Sequence, residues 1–476
     1  MATHPSFMNW EDLDSLVGSI STRSLVARPV SVEQCRQVLD YCREHGLKVC
    51  PRGTGRSYGD TALADGQVVL DVSDMSRILD FDADTAQLKV QAGVRLIDIF
   101  RRFHASLYTL PSSPTESHSS VSGAMSANVN GKDGAKQGSF YNNVVRFSLL
   151  TASGEVLEID RGHELFNAVI GGVGMLGVVL EATLQLKPIP SPYLAVRRRP
   201  AADVDALLAI LAQEERNSDL LVAWVDAYAD GKRTGRAVVH AANWIEHDAS
   251  QRQREALLDK GYGWLEGHRR MGLAVHELFG PLLSLLLYAQ RPLLTLFNRF
   301  YYRLSTVLAH LADKPAEELF IAYSFAASFT IPPAHLVCGA RGYTVQLSFP
   351  REGAREAIVE LLGICQGSPC PPVTTVLRAH RRDPGLLSFS EDGYSLNFEF
   401  HPKKHNAEAS REAIDHLIAA TARRGGRIHL TKDQVLTPAQ FRAVFPGHSA
   451  LQALKRRYDP EGIFTSDLAI RVGLVT

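Results

Sequence analysis

Residues 51–60 read PRGTGRSYGD. Gly53, Gly55 and Gly59 alternate with Thr54, Arg56, Ser57 and Tyr58, more glycine than a turn requires. Bare main-chain N–H groups in such a loop can converge on an anion, because no Cβ blocks the approach. The hydroxyls and the arginine add donors. The stretch is not a Walker A loop, since no Gly-Lys-Ser/Thr ends it. It is not the dinucleotide GxGxxG either, since its last glycine comes one residue late. On composition alone a structural turn and a phosphate site both fit.

Working outward, residues 31–46 (SVEQCRQVLDYCREHG) predict a helix capped by Ser31, with Gln34 at the capping-box position. LKVCPRG is a short strand entering the quoted loop. VVLDVSDM and LKVQAG predict further strands, and VRLIDIFRRFHAS a helix. A second small, polar, Gly-rich stretch follows at 119–140, SSVSGAMSANVNGKDGAKQGSF. A loop of that length without structure of its own is usually functional. Residues 145–158 predict a hairpin around Ser153-Gly154. A third glycine-rich turn, GGVGMLGV at 171–178, opens a long apolar strand. Three such stretches, each ending a strand within one region, point to a large phosphorylated cofactor embedded there.

Pro188 and Pro190 mark a boundary. Beyond it YLAVRRRP, LLVAWVDAY, RAVVHAANW, GYTVQLSFP, TTVLRAHR and YSLNFEFHP predict strands of a second sheet. Helices are expected at about 351–366 and 406–424. Residues from about 250 to 318 read as an irregular basic and apolar interruption.

The chain has 476 residues, 45% hydrophobic and 21% charged, an ordinary globular composition long enough for two to three domains. Lys+Arg and Asp+Glu balance at 51 each, so no overall field points to nucleic acid. The six cysteines form no CxxC and no zinc-spaced set with histidine, which predicts buried free thiols and no metal. The N-terminus lacks the pattern of a secretory signal, and no apolar run reaches spanning length.

PRGTGRSYGD, SVSGAMSANVNGK, LLTASGEVLEI and FNAVIGGVGMLGVV together resemble the flavin domain of the vanillyl-alcohol-oxidase (PCMH-type) superfamily. The likeness is nearest to its decaprenylphosphoryl-β-D-ribose 2′-oxidase branch. It extends to GGRIHLTKD (425–433) and RRYDPEGIFTSDLAIRV (456–472) and is weak from about 190 to 330. It implies an α+β, two-domain fold. Residues 1–190 would be the FAD-binding domain, 191–415 an antiparallel-sheet substrate domain, and 416–476 a segment returning to the first. Gly53, Thr54, Gly55, Arg56 and Ser57 would wrap the FAD pyrophosphate, with Tyr58 nearer the isoalloxazine. Ser119, Ser122, Gly123, Ser126, Ala127, Val129, Asn130 and Gly131 align with cofactor-lining positions, and Gly177 and Val178 with the adenine side. The position that carries a flavin-linking histidine in many relatives holds Ser or Tyr here, which implies non-covalent FAD. Two departures stand out: Glu116 in Pro114-Thr115-Glu116 places a carboxylate near the cofactor, and Asn130 replaces a histidine.

An alcohol oxidase must set the carbon that gives up hydride against flavin N5, take the hydroxyl proton, and hold negative charge. The resemblance assigns Lys432 to substrate anchoring and flavin charge, and Lys132 to the active site. Tyr58 would lie near the ring. His429 stands where the relative has a flavin-adjacent tyrosine, and is read as a base or as a structural histidine. Gln346, Arg378 and Asn397 match substrate-pocket positions. Arg378 replaces a lysine and suits a phosphate. Asn397 replaces a cysteine, so reagents aimed at that thiol would find no target. Arg146, His401, Lys403 and Lys404 read as surface charges.

Residues 270–304 are rich in leucine and aromatics, with Arg291, Arg299 and Arg303 interspersed. A buried helix pair fits, and so does a membrane-surface segment with arginines toward anionic head groups. The expected function is oxidation of a sugar hydroxyl, on a polyprenyl-phosphate-linked pentose as the first half of an epimerisation completed by a partner short-chain reductase. A soluble aldonolactone or sugar-alcohol oxidase and a non-catalytic flavin protein are the alternatives. The expected location is cytoplasmic, peripheral on the inner membrane face if 270–304 binds there.

Overall fold

The computed structural model describes residues 5–267, 291–312, 314–324, 342–402 and 406–475. Cys338, Lys403, Lys404 and residues 270–290 of the apolar stretch lie outside them.

The first 190 residues build two small sheets and a two-residue ladder of Lys187–Pro188 with Tyr108–Thr109. One is four-stranded, in the order Met8–Asp14, Ser21–Ala27, Val68–Asp71, Val49–Arg52. Its last three strands run parallel, so Val49–Arg52 delivers the PRGTGRSYGD loop at its C-terminal end. Helix Val32–His45 buries Cys35, Val38, Leu39 and Cys42, the apolar spacing read from the sequence. Ser31 caps it through Gln34 N, and Gln34 Oε1 reaches back to Val30 N. The other sheet is antiparallel, in the order Ile78–Asp82, Gln87–Gln91, Val178–Gln185, Val144–Leu150, Val156–Asp160. The short helix Val121–Ser126, capped by Ser120, begins the second glycine-rich stretch.

Beyond the Pro188–Pro190 boundary lies an eight-stranded antiparallel sheet. Its order is Ala316–Leu319, Tyr193–Ala201, Ala237–Trp244, Leu220–Val225, Thr374–His380, Gly393–Phe400, Tyr343–Pro350, Arg427–Ile428. The chain is therefore α+β, with an antiparallel sheet in its C-terminal region. Helices Val204–Asn217, Ala354–Gly367 and Ala407–Arg423 pack together against the sheet through their buried apolar positions. The eighth strand comes from the C-terminal segment. That segment also pairs with the first sheet, where Val49 N donates to Ile463 O and Thr465 N to Val49 O.

Two sequence expectations need correction. The stretch read as irregular is helical at 251–267 and again over Arg291–Leu311. His401 is buried rather than a surface charge, because it follows directly on the enclosed strand end at Phe400. Cys35, Cys42, Cys50, Cys365 and Cys370 are buried free thiols. Among the described residues no helix is long and apolar enough to cross a membrane, and no cluster could hold a metal ion.

Candidate active site

A cleft runs between the two small sheets. Its walls are the three glycine-rich stretches. Gly53, Thr54, Gly55, Arg56 and Ser57 line one side, and Ser119, Ser122, Gly123, Ser126, Ala127 and Val129 another. Gly177 and Val178 complete the lining. Thr54 fastens the first two together: its hydroxyl donates to His118 O at 2.8 Å and accepts from Ser120 N at 3.0 Å. A Cβ on Gly53 would come within 2.0 Å of Ser120 Oγ, so a side chain there must displace the hydroxyl that caps helix Val121–Ser126. Arg56 Nε is buried without a hydrogen-bond partner and stands 3.8 Å from Glu116 Oε1. The carboxylate that departs from the family pattern thus faces the loop arginine.

Sequence reasoning missed Thr431, which also lines this cleft. Tyr58 N and Gly59 N both donate to Thr431 O, so the HLTKD segment is stitched onto the opening loop. Tyr58, Asn130, Gly131 and His429 do not line the cleft itself. Gly131 is required for a different reason: a Cβ there would sit 1.7 Å from Ser113 O.

The second group of candidates is arranged by the large sheet. Directly paired residues of neighbouring strands point to the same side. Arg378 pairs with Ser395 and Ser395 with Ser348; Val376 pairs with Asn397 and Asn397 with Gln346; Thr374 pairs with Glu399 and Glu399 with Thr344. Three rows therefore place Arg378, Gln346, Asn397 and Glu399 on one face. Lys432 reaches that face and donates to Asn397 Oδ1 at 2.9 Å, with its Nζ 5.6 Å from the Tyr58 ring centre. Arg378 reaches back to the first 190 residues, donating to Thr115 Oγ1 at 2.8 Å and Asn130 O at 3.3 Å. Gln346 Nε2 donates to Ser395 Oγ at 3.0 Å, and His380 Nε2 shares a 2.7 Å hydrogen bond with the same oxygen. Gln346 Oε1, Asn130 Nδ2 and Arg378 Nε are buried and make no hydrogen bond within the protein. Lys132 points elsewhere in this structure. Its ammonium donates to Tyr323 O and lies 4.0 Å from that ring's centre.

Electrostatics follow from this crowding. Withdrawal from water, then the Arg378 charge, pulls both Lys132 and Lys432 down to about 7. Glu399 partly offsets this for Lys432, and burial pushes its own carboxyl up. Burial, followed by Lys432, His380 and Arg378, holds the His429 imidazole well below its ordinary range. Its ring is neutral and weakly basic. Burial raises the Tyr58 phenol, which stays protonated.

The two lysines carry a stability consequence. Folded, each titrates near 7; unfolded, near 10.5. Between those values the unfolded chain holds more protons, so their contribution to stability rises with pH. From pH 6.5 to 8, unfolding of the flavin-free protein should gain about 1 kcal/mol per lysine relative to Lys132→Met/Lys432→Met. Denaturant titrations of both proteins across that range check it. A difference that stays level or shrinks contradicts the assignment.

The family can be read at this point. A model described as FAD binding domain matches residues 24–160, and one described as D-arabinono-1,4-lactone oxidase matches residues 335–472. The chain belongs to the FAD-binding, PCMH-type oxidase family. It is an FAD-linked oxidoreductase acting on CH–OH groups, of the group that holds the aldonolactone and decaprenylphosphoryl-ribose oxidases. It is 30% identical over 368 residues to an uncharacterized protein in the mprA 5′ region of Streptomyces coelicolor, covering 77% of this chain and 96% of that one. It is 27% identical over 451 residues to the decaprenylphosphoryl-beta-D-ribose oxidase of Mycolicibacterium smegmatis, 92% of each. It is 25% identical over 453 residues to the L-gulonolactone oxidase of Bos taurus, again 92% of each. The cleft fits FAD. Gly53, Gly55, Gly123 and Gly177 leave main chain open to a ligand, and Arg56, which is ion-paired to Glu116, and the hydroxyls of Ser57, Ser122 and Ser126 line the same cleft, a set that suits an extended diphosphate nucleotide.

Proposed function

We propose that the protein oxidises a secondary hydroxyl of a polyprenyl-phosphate-linked pentose to a ketone, the first half of an epimerisation that a separate short-chain reductase would complete. Gly53–Ser57, Ser119, Ser122, Gly123, Ser126, Ala127 and Val129 would hold FAD, with Gly177 and Val178 toward the adenine. Binding would be non-covalent, as residues 51–60 offer no histidine or cysteine. Bound there, FAD supplies the two-electron acceptor.

The chain's residues do the rest. Lys432, near neutrality in its pKa, takes the hydroxyl proton at Nζ and as ammonium offsets negative charge beside Tyr58. Asn397 fixes its direction. Arg378 supplies the fork for a phosphate, and Gln346 Oε1 accepts from a sugar hydroxyl. Lys132 would turn from Tyr323 toward the substrate. His429, neutral and weakly basic, orients the segment through Thr431 Oγ1 at 3.2 Å, and of its two readings the structural one is proposed. The observation that carries this reading is that Arg378 and Lys432 meet on the sheet face that carries Asn397 and Gln346, with Glu399 opposing Lys432 and the Arg378 charge also reaching Lys132. Such a site suits a substrate that brings negative charge.

A second reading, aldonolactone oxidation, draws support from the match to the lactone-oxidase model. Anaerobic bleaching of the visible flavin band separates the two. A polyprenyl-phosphate pentose should bleach the protein at a concentration at least about tenfold lower than a free lactone, and acid should release the flavin into solution. Bleaching by lactones or free polyols alone would remove the first reading. Flavin that stays with the acid-precipitated chain would remove non-covalent binding.

A further inference from the structure

Helix Arg291–Leu311 is amphipathic the wrong way round for a core helix. Its buried residues are Asn298 and Ser305. Asn298 donates to Asp226 Oδ1 at 2.8 Å, and Tyr301 packs edge-on to Trp224 with centroids 4.7 Å apart. Its large apolar side chains face outward, with Leu296 64% exposed, Phe300 62% and Leu311 72%. At about 100° per residue, the exposed apolar set from Leu293 to Leu311 falls in a stripe about 120° wide and about 27 Å long. A contiguous apolar patch of that kind marks an interaction site.

Charge on the helix singles out the partner. Residues 291–311 contain Arg291, Arg299 and Arg303 and no Asp or Glu. Arg299 and Arg303 are exposed and lie along one border of the stripe, where long basic side chains reach head groups while neighbouring apolar ones enter the acyl boundary. No described helix is fit to span a bilayer, so contact would lie in the surface plane. Position supports the same partner. Trp224, on which the helix rests, pairs with Val376, and Val376 pairs with Asn397. The helix therefore sits on the side of the sheet that carries Asn397 and Arg378.

We propose that the outward face of helix 291–311 docks on an anionic lipid surface and holds the substrate side of the sheet toward it. This deepens the lipid-linked-substrate reading and rests on it only for its purpose. Vesicle binding is read without substrate, so each can fail alone.

The test is flotation of the FAD-loaded protein with phosphatidylcholine vesicles, with and without phosphatidylglycerol. The wild type should float with the anionic vesicles. Leu296→Glu/Phe300→Glu should lower the bound fraction about tenfold with both compositions. Arg299→Glu/Arg303→Glu should lose about tenfold on anionic vesicles only. All should keep the wild-type flavin spectrum. A wild type that stays unbound on anionic vesicles overturns the proposal, as do Glu variants that float as well as it does. A dimer in light scattering that Leu296→Glu/Phe300→Glu dissolves would give the stripe to a second copy and overturn it too.

Discussion

Lys432→Ala should leave a yellow, folded protein that substrate no longer bleaches, with the rate of flavin reduction down by about 10³-fold or more. The colour persists because Lys432 is not among the residues that line the nucleotide cleft. Reduction fails because two functions go at once, the proton acceptor at Nζ and the cation that faces the Tyr58 ring. Asn397 would lose its 2.9 Å donor but keep its place on the strand. Stopped-flow absorbance under anaerobic conditions measures the rate directly. Lys432→Arg, which keeps the charge but cannot readily give or take a proton, should recover little of it. Reduction of the alanine variant at the wild-type rate would remove Lys432 from the chemistry.

Arg471→Ala should cost about 3–5 kcal/mol of stability and loosen the flavin. Arg471 donates to both oxygens of Asp60 at 2.8 Å, to Asp433 Oδ2 at 2.9 Å and to Leu436 O at 2.9 Å. Asp60 and Asp433 are buried, so removing the guanidinium strands two carboxylates away from water. Asp60 ends the PRGTGRSYGD loop and Asp433 ends HLTKD, so one side chain near the C-terminus clamps the cofactor loop to the segment that carries Lys432. Arg471→Lys keeps a charge without the fork and should fall between wild type and alanine. Denaturant unfolding and the rate of FAD release report the two effects. An alanine variant within about 0.5 kcal/mol of wild type would show that the clamp carries no weight.

Much of this was legible in the sequence because it is local. The helix at Val32–His45, the hairpin at Gly154 and the glycine-rich stretches are written in spacing and turn chemistry within a few residues. Most of the proposed FAD contacts accordingly line one cleft. What the sequence hid is non-local or inverted. Arg471 meets Asp60 from 411 positions away, and no pattern in either stretch announces the other. Glu399 escaped notice because its neighbourhood with Lys432 depends on three-strand register. Thr431 acts partly through its carbonyl, which carries no side-chain signal. Helix Arg291–Leu311 fell in a stretch that fits both a buried helix pair and a membrane-surface segment, and its leucines could not decide between them, because the buried positions are the polar Asn298 and Ser305.

The flavin content of the purified protein tests the central claim most directly. Visible absorption, with FAD titrated back into any stripped fraction, should give one flavin per chain, with uptake sharply weakened in Gly53→Val, whose side chain would strike Ser120. A well-folded chain that is colourless and takes up no FAD would contradict the account, and so would a Gly53→Val variant that binds as tightly as the wild type.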